Sequence, residues 1–168
     1  MTAIESGTPE AGARFAERLD DVEVRLLSLA TRPFPPGLTE PDPGGEERWD
    51  AARVWAHLAE FPAYWVGEAR KLIAAPADPP PPFGRLADDP GRTSAIERDR
   101  LLPPEELWQR VRAGIAEARD YAARLSASDR ARLGQHPRRG PVTVAFILDQ
   151  FVASHLEEHA AQLEGLAG

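Results

Sequence analysis

Apolar residues recur three or four positions apart in four separate stretches of this chain, the spacing that gathers them on one face of an α-helix. The first stretch, Pro9 to Ala30, carries Phe15, Leu19, Val22, Leu26 and Leu29 on such a face. It ends at Arg32-Pro33-Phe34-Pro35-Pro36-Gly37, because proline lacks an amide proton and disfavours helix in the residue before it. A loop follows through Pro43-Gly44-Gly45. The second stretch runs from about Glu47 to Ala74, with Val54, His57, Phe61, Trp65 and Leu72 on or near one stripe. Pro62 lies inside it and is expected to remove one backbone hydrogen bond and bend the helix a turn after His57, either as a tolerated bend or as a kink that opens a pocket. The third begins at Pro103-Pro104-Glu105-Glu106, where prolines suit a first turn and acids suit the positive end of the helix dipole. Leu107, Val111, Ile115, Ala118, Ala122 and Leu125 trace its buried face. The fourth extends from about Thr143 to Leu166, with Val144, Leu148, Phe151, His155, His159 and Gln162 on a common stripe.

The connections differ in kind. Pro76 to Arg100 is dominated by Pro, Gly, Asp and Arg, including Pro79-Pro80-Pro81-Pro82, and reads as a long crossover without regular helix or central strand. About 25 residues can traverse a bundle end to end, so the second and third helices can run parallel. Ser126 to Gly140 reads as a polar connection, and no segment shows convincing strand alternation, repeats or a phosphate-cradling glycine motif. The predicted fold class is all-α: a four-helix bundle with a long Pro-rich crossover between helices two and three. It is expected as one domain over residues 1–168, with 1–8 disordered.

Composition narrows the chemistry. A net charge of −7, with basic residues interleaved among acids, argues against a nucleic-acid partner. No apolar run of bilayer length appears, and Met1 to Glu10 lacks the pattern of a signal peptide, so no membrane association and a cytoplasmic location are expected. The chain has no cysteine, which removes disulfides, thiolate ligands and a cysteine nucleophile. Any thiol used here comes from outside the chain.

The stripe of the fourth helix carries two histidines where a core should be apolar. His155 and His159 are four apart, so their Cβ atoms lie about 6 Å apart on one helical face and can point at one ion. The chain has four histidines, and a third, His57, lies on the apolar side of helix two. Buried and unpaired, their nitrogens would cost about 1–3 kcal/mol each; a metal would satisfy them. Glu60, Asp149, Glu157 and Glu158 are close enough in sequence to orient an imidazole by accepting its other N–H. Three imidazole ligands leave a position open for water or substrate, the pattern of a catalytic site. Nitrogen donors suit zinc, nickel, iron or copper, with zinc or nickel expected. The fourth histidine, His136, lies in the loop entering helix four, where capping a backbone carbonyl or lining the pocket are its two readings. Arg138 and Arg139 could meet an anionic substrate or simply be solvated, and Tyr64 and Trp65 could line the pocket or belong to the core.

His136-Pro137-Arg138-Arg139-Gly140-Pro141-Val142-Thr143, followed by His155-Leu156-Glu157-Glu158-His159-Ala160-Ala161-Gln162-Leu163, resembles the DinB-like superfamily of bacterial proteins. So does Trp49 with Val54-Trp55-Ala56-His57-Leu58-Ala59. The resemblance covers nearly the whole chain. It implies a four-helix bundle, often a homodimer, in which a histidine triad mapping onto His57, His155 and His159 binds a divalent metal. Relatives of this kind include thiol-S-transferases and mycothiol-dependent maleylpyruvate isomerases, so the resemblance implies a small-molecule substrate and a low-molecular-weight thiol cofactor such as mycothiol. The leading expectation is a metal-dependent, thiol-using transferase or isomerase. The alternatives are a metal-dependent hydrolase, with Glu60 and Tyr64 as candidate acid or base, and a non-catalytic bundle that binds a ligand or partner.

Overall fold

The computed structural model describes residues 9–41 and 45–168. The expectation of disorder for residues 1–8 lies outside the described residues, as do Pro43 and Gly44 of the first loop. Four long helical segments appear where the apolar periodicity placed them: α1 (Pro9–Ala30), α2 (Ala51–Ala74), α4 (Pro104–Ala123) and a last helix that ends as α7 (His155–Ala167). Their apolar stripes meet in one core. Leu19, Val22 and Leu26 of α1, Val54, Leu58 and Phe61 of α2, Leu107, Val111 and Ile115 of α4, and Leu156 and Leu163 of α7 are all at most 1 % exposed. At about 1.5–3 kcal/mol for each large apolar side chain fully buried, this is the main driving term for the bundle.

Cross-helix contacts fix the directions. Trp55 meets Trp108, Pro62 packs against Gly114, and Arg70 pairs with Glu117, so α2 and α4 run parallel as the length of the crossover allows. Arg18 with Glu157 and Arg25 with Glu164 make α1 parallel to α7. Asp20 with Arg119 and Glu23 with Arg112 set α1 antiparallel to α4, and Trp65 with Phe151 and His57 with His159 set α2 antiparallel to α7. The order is up, down, down, up. Helix α2 continues through Pro62, whose ring is received by the missing side chain of Gly114.

Two connections and the last helix depart from expectation. The crossover contains a helix, α3 (Pro90–Asp99), where none was expected. Asp89 caps it by accepting from the Arg92 amide at 2.9 Å, and Pro90 occupies the first turn. Asp-Pro is thus a helix start here rather than a breaker. Because Ile96 and Asp99 are its buried residues, no apolar stripe announced it. The polar connection holds a short helix, α5 (Ala127–Arg130), and an antiparallel hairpin of β1 (Leu133–His136) with β2 (Gly140–Thr143), strands of four residues that are too short for alternation to show. The last helix begins as α6 (Val144–Phe146), passes through a π-helical segment at Ile147–Ser154, and becomes α-helical at His155.

The crossover is strapped to both neighbours. Phe83 donates its amide to the Gln135 carbonyl at 3.1 Å and Gln135 donates to the Pro81 carbonyl at 2.9 Å, adding a third segment to the hairpin edge. On α2, Glu68 accepts from the Gly84 amide at 2.7 Å. Gly84 sits at φ 86°, and a Cβ there would lie 2.7 Å from His136 Cδ2, so both backbone conformation and close approach require glycine.

Candidate metal centre

Helix α2 starts at Ala51, capped by the Asp50 side chain accepting from the Arg53 amide, rather than at Glu47. That leaves Trp49 outside the helix. Its backbone pairs with Thr39 in both directions, the Thr39 amide to the Trp49 carbonyl at 2.8 Å and the Trp49 amide to Thr39 Oγ1 at 3.1 Å. So anchored, the indole lies parallel to the His159 ring at 6.2 Å and edge-on to His57 at 5.4 Å.

His57 comes from α2, and His155 and His159 from the first turns of α7. Their inner nitrogens converge: Nε2 of His155 is 2.9 Å from Nε2 of His57 and 3.1 Å from Nε2 of His159. One ligand atom from each of the three lies within 4.8 Å of the others, the only such group among the described residues. His57 and His159 are almost wholly buried, whereas the His155 side chain is 31 % exposed, so the cluster opens to solvent on the His155 side. Phe61 closes the inner wall, its ring 4.6 Å from His155 and 4.9 Å from His57.

The outer nitrogens are oriented by a repeated device. His57 Nδ1 donates to Glu60 Oε1 at 3.0 Å, His159 Nδ1 donates to Gln162 Oε1 at 2.6 Å, and His155 Nδ1 lies 3.6 Å from Glu158 Oε2. Each partner is three residues after its histidine, one helical turn on. Donation from Nδ1 fixes the tautomer of His57 and His159 and turns their Nε2 lone pairs inward. A proton on His155 Nε2 would satisfy one neighbour and leave the other facing it; a cation satisfies all three. Nitrogens at about 2.0–2.1 Å from one tetrahedral zinc lie roughly 3.3 Å apart, close to the separations found here. The donor set therefore fits a divalent metal, and the three histidines could hold one ion.

Burial pushes the His57 imidazolium strongly down, reinforced by His159 and His155, and brings the pKa of His159 down to about 3. Both rings are therefore neutral, the form in which an imidazole can bind a metal. Burial raises the Glu60 carboxyl, against the opposing pull of Arg85, which donates from Nη2 to both carboxylate oxygens at 2.6 Å. The Arg85 guanidinium also stacks 3.8 Å above the Tyr64 ring, and burial pushes the Tyr64 phenol up to about 12. Helix α3 adds Arg92, 5.3 Å from the Trp49 ring, with Nη1 donating to the Ala87 carbonyl at 2.7 Å.

Of the four carboxylates considered from sequence, Glu60 and Glu158 reach the cluster. Asp149 and Glu157 instead bind Arg18 of α1, Glu157 by two bonds of 2.8 and 2.7 Å. Gln162, Arg85 and Arg92 were not foreseen at the site, although the His-x-x-Glu, His-x-x-Glu and His-x-x-Gln spacings stand in the chain. His136 is structural. Its Nδ1 accepts the amides of Arg138 and Arg139 at 3.3 and 3.2 Å, so it caps N–H groups of the hairpin turn rather than a carbonyl, amid the rings of Trp65, Phe83 and Phe151. Trp65 belongs to this aromatic cluster. A cavity of about 950 Å³ is lined by Arg14, Arg18, Arg130 and Asp149 among others and includes none of the three histidines.

A helical bundle with three imidazoles converging from its second and last long helices defines the class: a four-helix bundle with a histidine-triad centre. The chain belongs to the DinB superfamily, whose family model matches residues 6–163. No curated protein matches it. Among the described residues no helix is long and apolar enough to cross a membrane.

Proposed function

We propose that His57, His155 and His159 hold a zinc or nickel ion with an open position on the His155 side, and that the protein is a thiol-using transferase or isomerase acting on a small electrophile. The observation that carries this reading is the convergence of three Nε2 atoms, with the outer nitrogens of His57 and His159 held by Glu60 and Gln162 and Glu158 near that of His155. When bound, such an ion lowers the pKa of a coordinated thiol and makes it nucleophilic at neutral pH. The protein's own part is to hold the imidazoles neutral and aimed, to wall the inner side with Phe61 and Trp49, and to leave His155 accessible. With no cysteine in the chain, the thiol is an external one of low molecular weight.

A water-using hydrolase finds less support. Glu60 is engaged by His57 and Arg85, and Tyr64 lies under Arg85 with a phenol that holds its proton to about pH 12. Neither offers a ready base. Two measurements test the proposal: metal content of the parent against a His57→Ala, His155→Ala double variant, and titration of the cobalt-loaded protein with low-molecular-weight thiols. One equivalent of metal lost in the variant, with a thiol-dependent change in the visible spectrum, is expected. An unchanged spectrum with every physiological thiol excludes the thiol chemistry.

A further inference from the structure

Two of the three arginines around the centre are already engaged: Arg85 clasps Glu60, and Arg92 donates to the Ala87 carbonyl. Arg139 is different. It sits on the turn of the hairpin, where His136 Nδ1 accepts its backbone amide and so fixes the base of the side chain. Its guanidinium lies 5.7 Å from the Phe146 ring centre and 5.6 Å from that of Phe151, and it makes no ion pair with any described residue. Phe151 precedes His155 by four residues on the same helix. Phe151 in turn packs at 4.5 Å on Trp65 and 5.2 Å on His136, so the platform under the cation is rigidly held. A cation held on an aromatic platform whose Phe151 stands four residues before the accessible His155 on the same helix is a recognition group for a second charge on whatever occupies the open position.

We propose that Arg139 is the subsite for the acid group of an anionic ligand whose other end occupies the open position beside His155. The ligand class is a small carboxylate that also carries a metal-coordinating donor. The inference rests on the metal-and-thiol reading above and specifies the charge of the ligand. Arg139 is then a specificity-determining residue: it selects among ligands of equal donor strength by their remote charge.

The test uses three thiols with the same donor and different tails on the cobalt-loaded protein: 3-mercaptopropionate (anionic), 2-mercaptoethanol (neutral) and cysteamine (cationic). The spectral titration at low ionic strength should show 3-mercaptopropionate binding about tenfold more tightly than 2-mercaptoethanol, a preference that added salt reduces. Arg139→Gln should remove that preference without changing cobalt content or 2-mercaptoethanol affinity, and Arg139→Glu should turn it toward cysteamine. Arg138→Gln removes the same unit of charge from the neighbouring position and should keep the preference. The hairpin turn uses only the backbone of Arg139, so these variants keep the fold, which the circular dichroism spectrum verifies. Equal binding of anionic and neutral thiols, or a preference that survives Arg139→Gln, overturns the subsite while leaving the metal-and-thiol reading intact. Failure of all three thiols to bind removes that reading and the subsite with it.

Discussion

At the scale of single residues, the centre is defined less by three histidines than by what each does with its second nitrogen. The Glu60 side chain is 12 % exposed and meets His57 at 3.0 Å, whereas Glu158 is 71 % exposed and stands 3.6 Å from His155, beyond a good hydrogen bond. Outer partners of this kind are typically worth about 10–100-fold in metal affinity. Glu60→Ala should therefore weaken zinc binding within that range in a competitive chelator titration, and Glu158→Ala by clearly less. Equal losses would show that burial of the partner does not matter. The same burial fixes a pH dependence. An unfolded imidazole takes up its proton near pH 6.5, but the folded protein refuses it at His57 and, down to about pH 3, at His159. Between those values the unfolded chain binds more protons, so the metal-free protein is most stable above pH 6.5 and loses stability as pH falls toward 3. The slope is at most about 1.4 kcal/mol per pH unit for each imidazole. Urea denaturation of metal-free protein on both sides of pH 6.5 measures it; a stability that is flat or rises on acidification contradicts neutral buried ligands.

At the scale of elements, the irregular segments assemble the mouth of the site. The crossover brings Arg85 and Arg92 onto a centre built by α2 and α7, and the hairpin packs His136 and Arg139 against Phe151 of the last helix. Gly134 is what lets the hairpin approach: a Cβ there would lie 2.6 Å from Leu72 and from Phe83. Gly134→Ala is accordingly expected to destabilise the fold by about 1–3 kcal/mol in urea denaturation, the usual cost of overpacking; an unchanged midpoint would mean that the hairpin is not held against α2. These same elements were the ones hardest to read in the sequence. The long helices announce themselves because Leu19, Val22 and Leu26 in the first, or Leu107, Val111 and Ile115 in the third, repeat at helical spacing and one core buries them all. Helix α3 buries one isoleucine and one aspartate, and the hairpin strands have four residues each, so neither carries a period to detect. The three histidines were legible because imidazoles stand on apolar stripes. Arg85 and Arg92 were not, since nothing local distinguishes them from the other arginines of a segment whose path depends on Glu60 and Glu68.

At the scale of the whole molecule, the centre joins two antiparallel helices whose candidate ligands His57 and His155 are 98 residues apart in sequence. Such a site cannot exist in the unfolded chain, so the free energy of metal binding adds to that of folding. A ligand that binds only the folded state contributes RT ln(1 + [L]/Kd), about 4 kcal/mol when its free concentration is a thousand times Kd. For a domain of this size, each kcal/mol moves the melting temperature by about 2–4 °C. Adding zinc or nickel to metal-free protein should therefore raise Tm by roughly 10 °C at such an excess, and His155→Ala should abolish most of that rise. His155 suits this test because its ring is the most exposed of the three, so its removal disturbs the metal-free core least. A shift of equal size in parent and variant would place the stabilising ion elsewhere. No shift in the parent would mean that α2 and α7 are joined by packing alone and that the converging imidazoles do not hold a metal.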